Sequence, residues 1–492
     1  RDWSSDVCSS DLCTTTPSSP PISRVGGTDG VKELFKTHDA LAVGELVRAR
    51  KIAAQELRTA TVERLRALNT RLNAITDFYD DAPPATDGPF MGVPFVIKQL
   101  MADCAGKVTT VGSKFFATQP VAAADSAAVA RLRKAGLVIV GRTNTSEFGL
   151  APTTEPAFGG ATVNPWRKDL SPGGSSGGSA AIVAAGGLPM AHATDGGGSI
   201  RIPASLCGLF GLKPSRGRIS LAPIGETLAG AGAQHAVTVS VRDSAALLDI
   251  LAGGEPGDPY AAPAAGSFFA ATRRPPGKLR VAFMRKPVGG EALDPVLTGA
   301  IERTAHLLES LGHQVEEASP DYDAALLDAA FWLVMCANTW TNIQVRAAGR
   351  VPGQDDLEPV TRIYAERGRT VSAEQYIRAV QAFHRTGRQL GAFLDRYDVL
   401  LSTTIARTHL PLGVVRMDGS ADRFETEVAR MTPFTAVCNA TGVPAMSVPL
   451  ESTPEGLPVG LHFVARYGAE EKLFSLAAQL EEARPWRGRL PC

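Results

Sequence analysis

Hydrophobic residues near the start of the chain recur at the spacing of an amphipathic helix. Residues 40–72 predict two helices that share one buried face, formed by Leu57, Leu65, Leu68 and Leu72. These helices are expected to form an outer layer of the fold. The preceding residues 13–38 are largely polar, and we expect a flexible tail there.

Short apolar runs further along the chain are typical of buried β-strands. Residues 90–100, FMGVPFVIKQL, predict a strand that carries Lys98 at its far end. Residues 125–134 predict a helix, and residues 137–140 predict the next strand. The local order is therefore strand, helix, strand.

The same alternation continues to the end of the chain. Further helices are predicted after Gly178 and at residues 295–311 and 470–482, and further strands at residues 188–193, 279–284, 399–404, 445–450 and 459–464. This pattern predicts an α/β fold with a mixed central β-sheet covered by helices on both faces. Residues 324–395 predict a helical layer, which we expect to overhang a functional site and to shape its substrate pocket.

Length and charge exclude several classes of protein. A chain of 492 residues is long for one domain, but α/β enzymes of this size often form one core, and we expect a single domain over residues 39–492. Basic and acidic residues both number 50, which gives no charge excess for binding nucleic acid. No apolar run approaches the roughly 20 residues of a membrane span. Neither nucleic acid nor a membrane is expected as a partner.

The first residues need separate treatment. Residues 1–12, RDWSSDVCSSDL, look like the translation of a sequencing adapter, and the true N-terminus is expected to be missing. Cys13 and the TTTPSSPP after it fit a disordered tail, which we favour, or a lipoprotein stalk. A cytoplasmic location is expected, with export left open. The seven cysteines show no spacing typical of a zinc site or of a disulfide framework.

Two glycine-serine segments carry the candidate chemistry. Residues 173–178, GGSSGG, and 196–199, GGGS, lie on either side of a helix-forming run. Glycines allow backbone N–H groups to approach a ligand closely, and a serine beside them is a candidate nucleophile. The first segment could instead be a flexible linker, and the second a structural turn.

Lys98 is the candidate base for these serines. The chain has eight histidines, and none lies near either segment in a nucleophile-elbow motif such as G-x-S-x-G. If apolar neighbours desolvate Lys98, its pKa falls and the neutral amine becomes available as a base near pH 7. A solvated lysine at a strand end is the alternative.

Together these motifs resemble the amidase signature family, the serine hydrolases with a Ser-Ser-Lys triad. GVPFVIK is similar to the lysine strand of the family, SPGGSSGGSAA to its glycine-serine signature, and TDGGGSIRIPASLCGLFGLKPSRGRIS to its nucleophile segment. The resemblance runs over residues 43–491 and includes the 24 positions that separate Ser175 from Ser199. It implies the amidase signature fold.

The resemblance also implies a role for each reactive residue. Ser199 is the nucleophile that forms an acyl-enzyme, Ser175 is the bridging serine and Lys98 is the base. Ser176 is a neighbour and not the relay. The lysine supplies the acid-base chemistry, so no metal or organic cofactor is implied.

The same resemblance implies several features of the loops around the triad. Asp195 and Arg201 are expected to pair and hold the nucleophile loop, although surface charge is the alternative. The peptide bond before Ser175 is expected to be cis. One departure from the family is Gly196, where a larger residue is usual, and the loop is expected to be more mobile for it. The oxyanion hole is implied to consist of the N–H groups of Gly196, Gly197, Gly198 and Ser199.

Within the family, TTEPAFGGATVNPW and AHATDGGGSIRIPAS are similar to the bacterial branch with nylon-oligomer cyclic-dimer hydrolase and urethane-cleaving amidases. The implied substrate is a small-molecule amide, with a carbamate or ester left open because it presents the same carbonyl. Phe148, Gly149 and Leu150 are expected to line the acyl side. Cys336 is a pocket candidate, with a structural cysteine as the alternative.

Two other functions are weighed against amide hydrolysis. The amidotransferase subunit of a glutamine-dependent tRNA transamidation complex has the same triad, but neutral charge and the closer match to the standalone branch disfavour it. A binding module without activity is disfavoured by the intact triad. The natural substrate and the oligomeric state, including a homodimer, stay open.

Overall fold

The computed structural model describes residues 27–82 and 87–491, which form two β-sheets surrounded by helices. Residues 1–12 and residues 13–26 of the predicted tail lie outside the described residues. The strands are β1 Ile75–Phe78, β2 Pro94–Lys98, β3 Val138–Thr143, β4 Met190–Asp195, β5 Phe210–Lys213, β6 Ala233–Thr238, β7 Arg280–Phe283, β8 Gln314–Glu317, β9 Val399–Thr403, β10 Ala445–Ser452 and β11 Pro458–Ala465.

The helices lie before, between and after these strands. They are α1 Gly27–Thr37, α2 Ala40–Arg48, α3 Ala54–Leu72, α4 Ala127–Lys134, α5 Gly177–Ala184, α6 Arg201–Cys207, α7 Val241–Leu251, α8 Phe268–Ala271, α9 Pro295–Ser310, α10 Ala324–Ala347, α11 Pro359–Arg369, α12 Ala373–Leu394, α13 Ala421–Met431, α14 Ala436–Thr441 and α15 Glu470–Ala483. Short 3-10 turns occur at Glu147–Gly149 and Arg487–Arg489.

The larger sheet has eight strands in the order β4-β6-β5-β10-β11-β9-β7-β8. Neighbouring strands are antiparallel from β4 to β9, whereas β9, β7 and β8 are parallel. The smaller sheet has the order β1-β3-β2, and β2 packs beside β4 of the larger sheet. The predicted mixed sheet is therefore confirmed, with a smaller sheet that the pattern did not separate.

Helices cover both faces of the larger sheet, as predicted. Successive residues of a strand point to opposite faces. In β5, the ring of Phe210 lies 6.2 Å from that of Phe474 in α15. A β-carbon added at the next residue, Gly211, would lie 2.7 Å from Cβ of Ala204 in α6. The helices α15 and α6 therefore lie on opposite sides of this strand.

The predicted tail is wrong from residue 27 onwards. Residues Gly27–Thr37 form α1, whose Val31, Leu34 and Phe35 are buried. This three- and four-residue spacing forms an apolar stripe that packs against α3. The two helices predicted within residues 40–72 are confirmed as α2 and α3.

The helical layer predicted for residues 324–395 consists of α10, α11 and α12. Among the described helices, α10 alone is long and apolar enough to cross a membrane by length and composition. Core helices of globular proteins meet the same criterion, and α10 packs against both α11 and α12.

Candidate active site

The two candidate serines meet at one cavity, although they belong to different segments. Ser175 precedes α5, and Ser199 follows β4 on the loop that leads to α6. Both line a cavity of about 690 Å³. In the described part of the chain the Ser199 hydroxyl makes no hydrogen bond, so it is free to meet a ligand.

The backbone before Ser175 has the isomer implied by the resemblance. The Gly174–Ser175 peptide bond is cis. A β-carbon added at Gly174 would lie 2.0 Å from the carbonyl oxygen of Thr153. Glycine is therefore required at this position by close packing of two backbone segments, which excludes a flexible linker.

Lys98 lies at the end of β2, and its amine contacts the first serine. Its Nζ is 2.8 Å from Oγ of Ser175 and 2.8 Å from Oγ1 of Thr194. The side chain is fully buried. Burial lowers the pKa of Lys98 well below the ordinary value of 10.5, and the negative charge of Asp195 opposes this only in part. Lys98 is therefore a desolvated amine and not a solvated lysine.

Two residues of β4 complete the surroundings of Lys98, and sequence reasoning missed both. Thr194 contacts the amine, and Nδ1 of His192 accepts the backbone N–H of Lys98 at 3.3 Å. Burial, with the charges of Lys98 and Arg142 acting in the same direction, lowers the pKa of His192 to about 3. The alternation H-A-T placed these two residues on one face of a strand, but nothing local indicated that β2 would lie beside it.

A buried ion pair supports the loop that carries the candidate nucleophile. Asp195 and Arg201 are completely buried, and Arg201 donates to both carboxylate oxygens, at 2.9 and 3.0 Å. Burial alone raises the pKa of Asp195, but the charge and hydrogen bonds of Arg201 outweigh it and hold the pKa well below its ordinary value. The predicted pairing is confirmed, and the surface-charge alternative is excluded.

Residues far along the chain support this ion pair. Asn439 in α14 donates to Asp195 at 2.9 Å and accepts from Arg201 at 2.6 Å. His462 in β11 accepts from Arg201 at 3.0 Å. Sequence reasoning missed Asn439 and His462, because only the sheet order and the helix docking bring them to the loop.

The backbone N–H groups of the loop do not all face the cavity. Gly198 donates to Oδ1 of Asp195 at 2.7 Å, so its assignment to the oxyanion hole is corrected. The N–H groups of Gly196, Gly197 and Ser199 have no acceptor in the described part of the chain, and these three residues line the cavity. The Asp195 carboxylate thus accepts the N–H group of Gly198, and the other three N–H groups remain available to a ligand.

The side chain of Leu228 lies beside the unusual Gly196. A β-carbon added there would lie 2.8 Å from Cδ1 of Leu228, which also lines the cavity. On the other side, Oγ1 of Thr435 donates to the carbonyl oxygen of Gly197 at 2.6 Å. Leu228 therefore occupies space that a side chain at position 196 would need, and Thr435 anchors the backbone at Gly197.

The predicted pocket residues divide into two groups. Phe148, Gly149 and Leu150 line the cavity. Cys336 does not, and this prediction is corrected. It is buried in the packing of α10 on α11, with its carbonyl oxygen against Gly368, and its neighbour Met335 lines the cavity instead.

Most of the cavity wall comes from residues that sequence reasoning did not name. The α10 face contributes Phe331, Trp332, Met335 and Asn338, and Leu228 and Val428 add further apolar surface. Among the described residues, no group of three or more His, Cys, Asp or Glu side chains is placed to hold a metal ion.

Comparison with known proteins shows the family of this chain. The Amidase family model matches residues 45–474, which is most of the chain. The chain belongs to the amidase family. This amidase is 37% identical over 477 residues to the 6-aminohexanoate-cyclic-dimer hydrolase of Pseudomonas sp. strain NK87, a match that covers 92% of the chain and 96% of that enzyme.

Solved structures give the same result for the fold of this amidase. A structure of 6-aminohexanoate cyclic dimer hydrolase with its substrate superposes with a TM-score of 0.87 at 35% identity, covering 93% of this chain and 99% of that one. A bacterial aryl acylamidase of the amidase signature family superposes with a TM-score of 0.83 at 25% identity, covering 92% and 98%. The chain is therefore an enzyme that acts on amides.

Proposed function

We propose that this amidase hydrolyses small-molecule amides through an acyl-enzyme on Ser199, with Ser175 as relay and Lys98 as base. The observation that carries the proposal is the 2.8 Å contact between Nζ of the fully buried Lys98 and Oγ of Ser175. A buried lysine beside a serine at a cavity wall is the arrangement that base-assisted nucleophilic attack needs.

Protons move along the three residues in one direction during attack. Neutral Lys98 takes the proton of Ser175, Ser175 takes that of Ser199, and Oγ of Ser199 bonds to the substrate carbonyl carbon. The C–N bond then breaks as the proton returns through Ser175 to the leaving amine. Water repeats the cycle, releases the acid and regenerates Ser199.

The loop after β4 stabilises the negative charge of the tetrahedral intermediate. The N–H groups of Gly196, Gly197 and Ser199 supply the oxyanion hole, since Gly198 is engaged by Asp195. One such donor contributes about 3 to 4 kcal/mol to the transition state in comparable sites. The buried ion pair of Asp195 and Arg201 keeps the loop in the shape that presents these donors.

The substrate is a small amide with an apolar body. The cavity volume of about 690 Å³ is that of a small-molecule site, and Phe331, Trp332 and Leu228 contribute apolar wall. A carbamate or ester presents the same carbonyl to Ser199 and can use the same relay. We therefore extend the proposal to carbamates and esters of similar size.

A hydrolysis screen tests this function. Purified enzyme is assayed on aryl anilides, aliphatic amides, cyclic amides and aryl carbamates, with Ser199→Ala as the blank and the exposed Ser310→Ala as a matched control. We expect release of acid and amine by the wild type and by Ser310→Ala only. A phosphonofluoridate is expected to label Ser199 in the folded protein.

Two results would contradict the proposal. One is equal activity of the wild type and Ser199→Ala on every substrate class. The other is hydrolysis of glutamine alone with co-purification of a second subunit, which would favour the transamidation complex.

A further inference from the structure

A second, smaller cleft lies where α12, α14 and the segment after β11 meet. Its volume is about 340 Å³, which is within the range of small-molecule sites. In the described part of the chain it shares no lining residue with the cavity that contains Ser199, although α14 borders both. Ala436 and Val437 line that cavity, whereas Ala440 and Thr441 line the cleft. The cleft is therefore separate from the candidate active site.

Among the described residues, the cleft is lined by cationic side chains and by no acidic one. The cations are Arg216, Arg388 and Arg466, and His384 adds an imidazole. Arg388 and His384 are one helical turn apart on α12, and within residues 27–82 and 87–491 neither side chain has a hydrogen bond, ion pair or ring contact. Arg466 is paired with Asp395 at 3.1 Å. The excess of positive charge favours an anion as the ligand.

Arg216 is the cation whose orientation the protein fixes. Its Nε donates to the carbonyl oxygen of Gly230 at 2.6 Å, and its Nη2 donates to that of Ala440 at 2.7 Å. Its Nη1 has no acceptor in the part of the chain that the structure describes. A half-buried guanidinium that is held at two nitrogens and has a third nitrogen free is a preformed donor for a carboxylate oxygen.

Two glycines of α12 leave space in the cleft. Gly387 and Gly391 are one turn apart and both line it. A β-carbon added at Gly391 would meet nothing within 4 Å, and one at Gly387 would make an ordinary contact with Thr441 at 3.9 Å. Protein packing therefore does not require glycine at either position, although glycine is unfavourable within a helix. The other apolar lining residues are Phe383, Leu394, Ala440 and Val443. The space between the helices fits an apolar group.

We propose that this cleft binds a small organic carboxylate, whose charged group contacts Arg216 and Arg388 and whose apolar body lies between α12 and α14. Arg216 also donates to the carbonyl oxygen of Asn439 at 3.3 Å, and the side chain of Asn439 supports Arg201. The ligand therefore binds beside the segment that holds the buried ion pair. Because it binds the folded chain, it is expected to raise the melting temperature. The proposal does not depend on the proposed function of Ser199.

Three probes test the chemistry of the ligand. Benzoate is titrated into the full chain by isothermal calorimetry and compared with benzyl alcohol, which has the ring without the charge, and with inorganic phosphate, which has the charge without an apolar body. We expect benzoate to bind about tenfold more tightly than either of the other two, because only benzoate uses both the guanidinium groups and the apolar lining.

Three variants assign the binding to the cleft. Arg388→Gln removes one cation and is expected to weaken benzoate binding about tenfold. Gly391→Leu places a side chain in the open space and is expected to weaken it to a similar extent. The matched control is Arg385→Gln, since Arg385 is an exposed arginine of α12 that does not line the cleft, and its Kd is expected to equal that of the wild type. Thermal melting without ligand checks that each variant folds.

Several results would overturn the proposal. Absence of benzoate binding would refute it directly, and equal affinity for benzyl alcohol or phosphate would refute the class of ligand. An unchanged Kd in folded Arg388→Gln would place the binding elsewhere, including the cavity at Ser199, and this variant is sufficient if Gly391→Leu does not fold. Failure of the proposed function would instead appear as absence of Ser199-dependent hydrolysis, which these titrations do not measure.

Discussion

Asp195 and Arg201 form a completely buried ion pair directly beneath the candidate nucleophile loop. The carboxylate accepts from the Arg201 guanidinium and also from the backbone N–H groups of Gly198 and Ile200, at 2.7 and 3.1 Å. A side-chain pair thereby fixes the conformation of the loop between its two members. The buried charges therefore determine the backbone conformation of the loop and, through it, the position of the candidate oxyanion hole.

Arg201→Met is expected to destabilise the fold by about 3 to 5 kcal/mol, because Asp195 would remain buried without a counter-ion. Activity is expected to fall with it. Arg378→Met is the control, since its pair with Glu374 is exposed and contributes about 0.3 to 0.5 kcal/mol. Thermal melting and kcat measure the two effects. Equal stability of the two variants would contradict a structural role for the buried pair.

Lys98→Met is expected to lower kcat/KM by about 10³- to 10⁶-fold, because nucleophile and base act as a unit. The control is Lys213→Met, which removes another fully buried lysine, one whose Nζ donates to the carbonyl oxygen of Pro214. Amide hydrolysis is assayed for both variants, with circular dichroism to verify folding. Full activity of folded Lys98→Met would refute the lysine-base mechanism.

Ser175 and Ser176 are adjacent at the start of α5, and we expect Ser175 to act as the proton relay and Ser176 to have a structural role. Ser175→Ala is expected to lower kcat by about 10²- to 10⁴-fold, because it removes the link to Lys98. Ser176 bonds to the backbone of Thr194, so Ser176→Ala is expected to cost about 1 kcal/mol of stability and keep most activity. Kinetics and melting of both variants test this, and comparable activity losses would contradict the assignment.

The pH dependence should report the protonation of Lys98. Only the neutral amine accepts a proton, so kcat/KM is expected to rise with pH as Lys98 deprotonates and then to level off. Burial lowers this pKa well below 10.5, so the midpoint of the rise lies well below that value. A rise centred near the ordinary lysine pKa would contradict the mechanism.

His192 provides the control for this profile. Its pKa of about 3 keeps the ring neutral throughout the working range. His192→Gln is therefore expected to leave the midpoint of the rise in place, even if the plateau is lower. A midpoint that moves with this substitution would assign the titration to the histidine.

Gly174→Ala is expected to destabilise the protein by about 3 kcal/mol, because the added carbon would meet the Thr153 carbonyl oxygen at 2.0 Å. The matched control is Gly391→Ala in α12, where an added carbon meets nothing within 4 Å. That change is expected to stabilise the helix by about 0.5 to 1 kcal/mol. Thermal melting compares the two. A Gly174→Ala protein as stable as the wild type would contradict this close packing.

The α10 layer shows where prediction from the sequence stops. The pattern correctly indicates a helix there, but α10 buries apolar residues against α11 and α12 as well as lining the cavity. A helix that is apolar on several faces does not reveal which face meets the substrate. Cys336 was therefore assigned to the pocket, whereas its neighbour Met335 lines it.

Local sequence by itself determined the strand that ends at Lys98, the two serine segments, the family and the alternation that gives the mixed sheet. These features depend on short-range spacing, which the chain displays directly. Tertiary structure alone decided that Lys98 is desolvated, that His192 and Thr194 surround it, and that Asn439 and His462 hold Arg201. It also decided which loop N–H groups remain free. Each of these depends on burial or on contacts between distant segments, and desolvation arises only when packing excludes water.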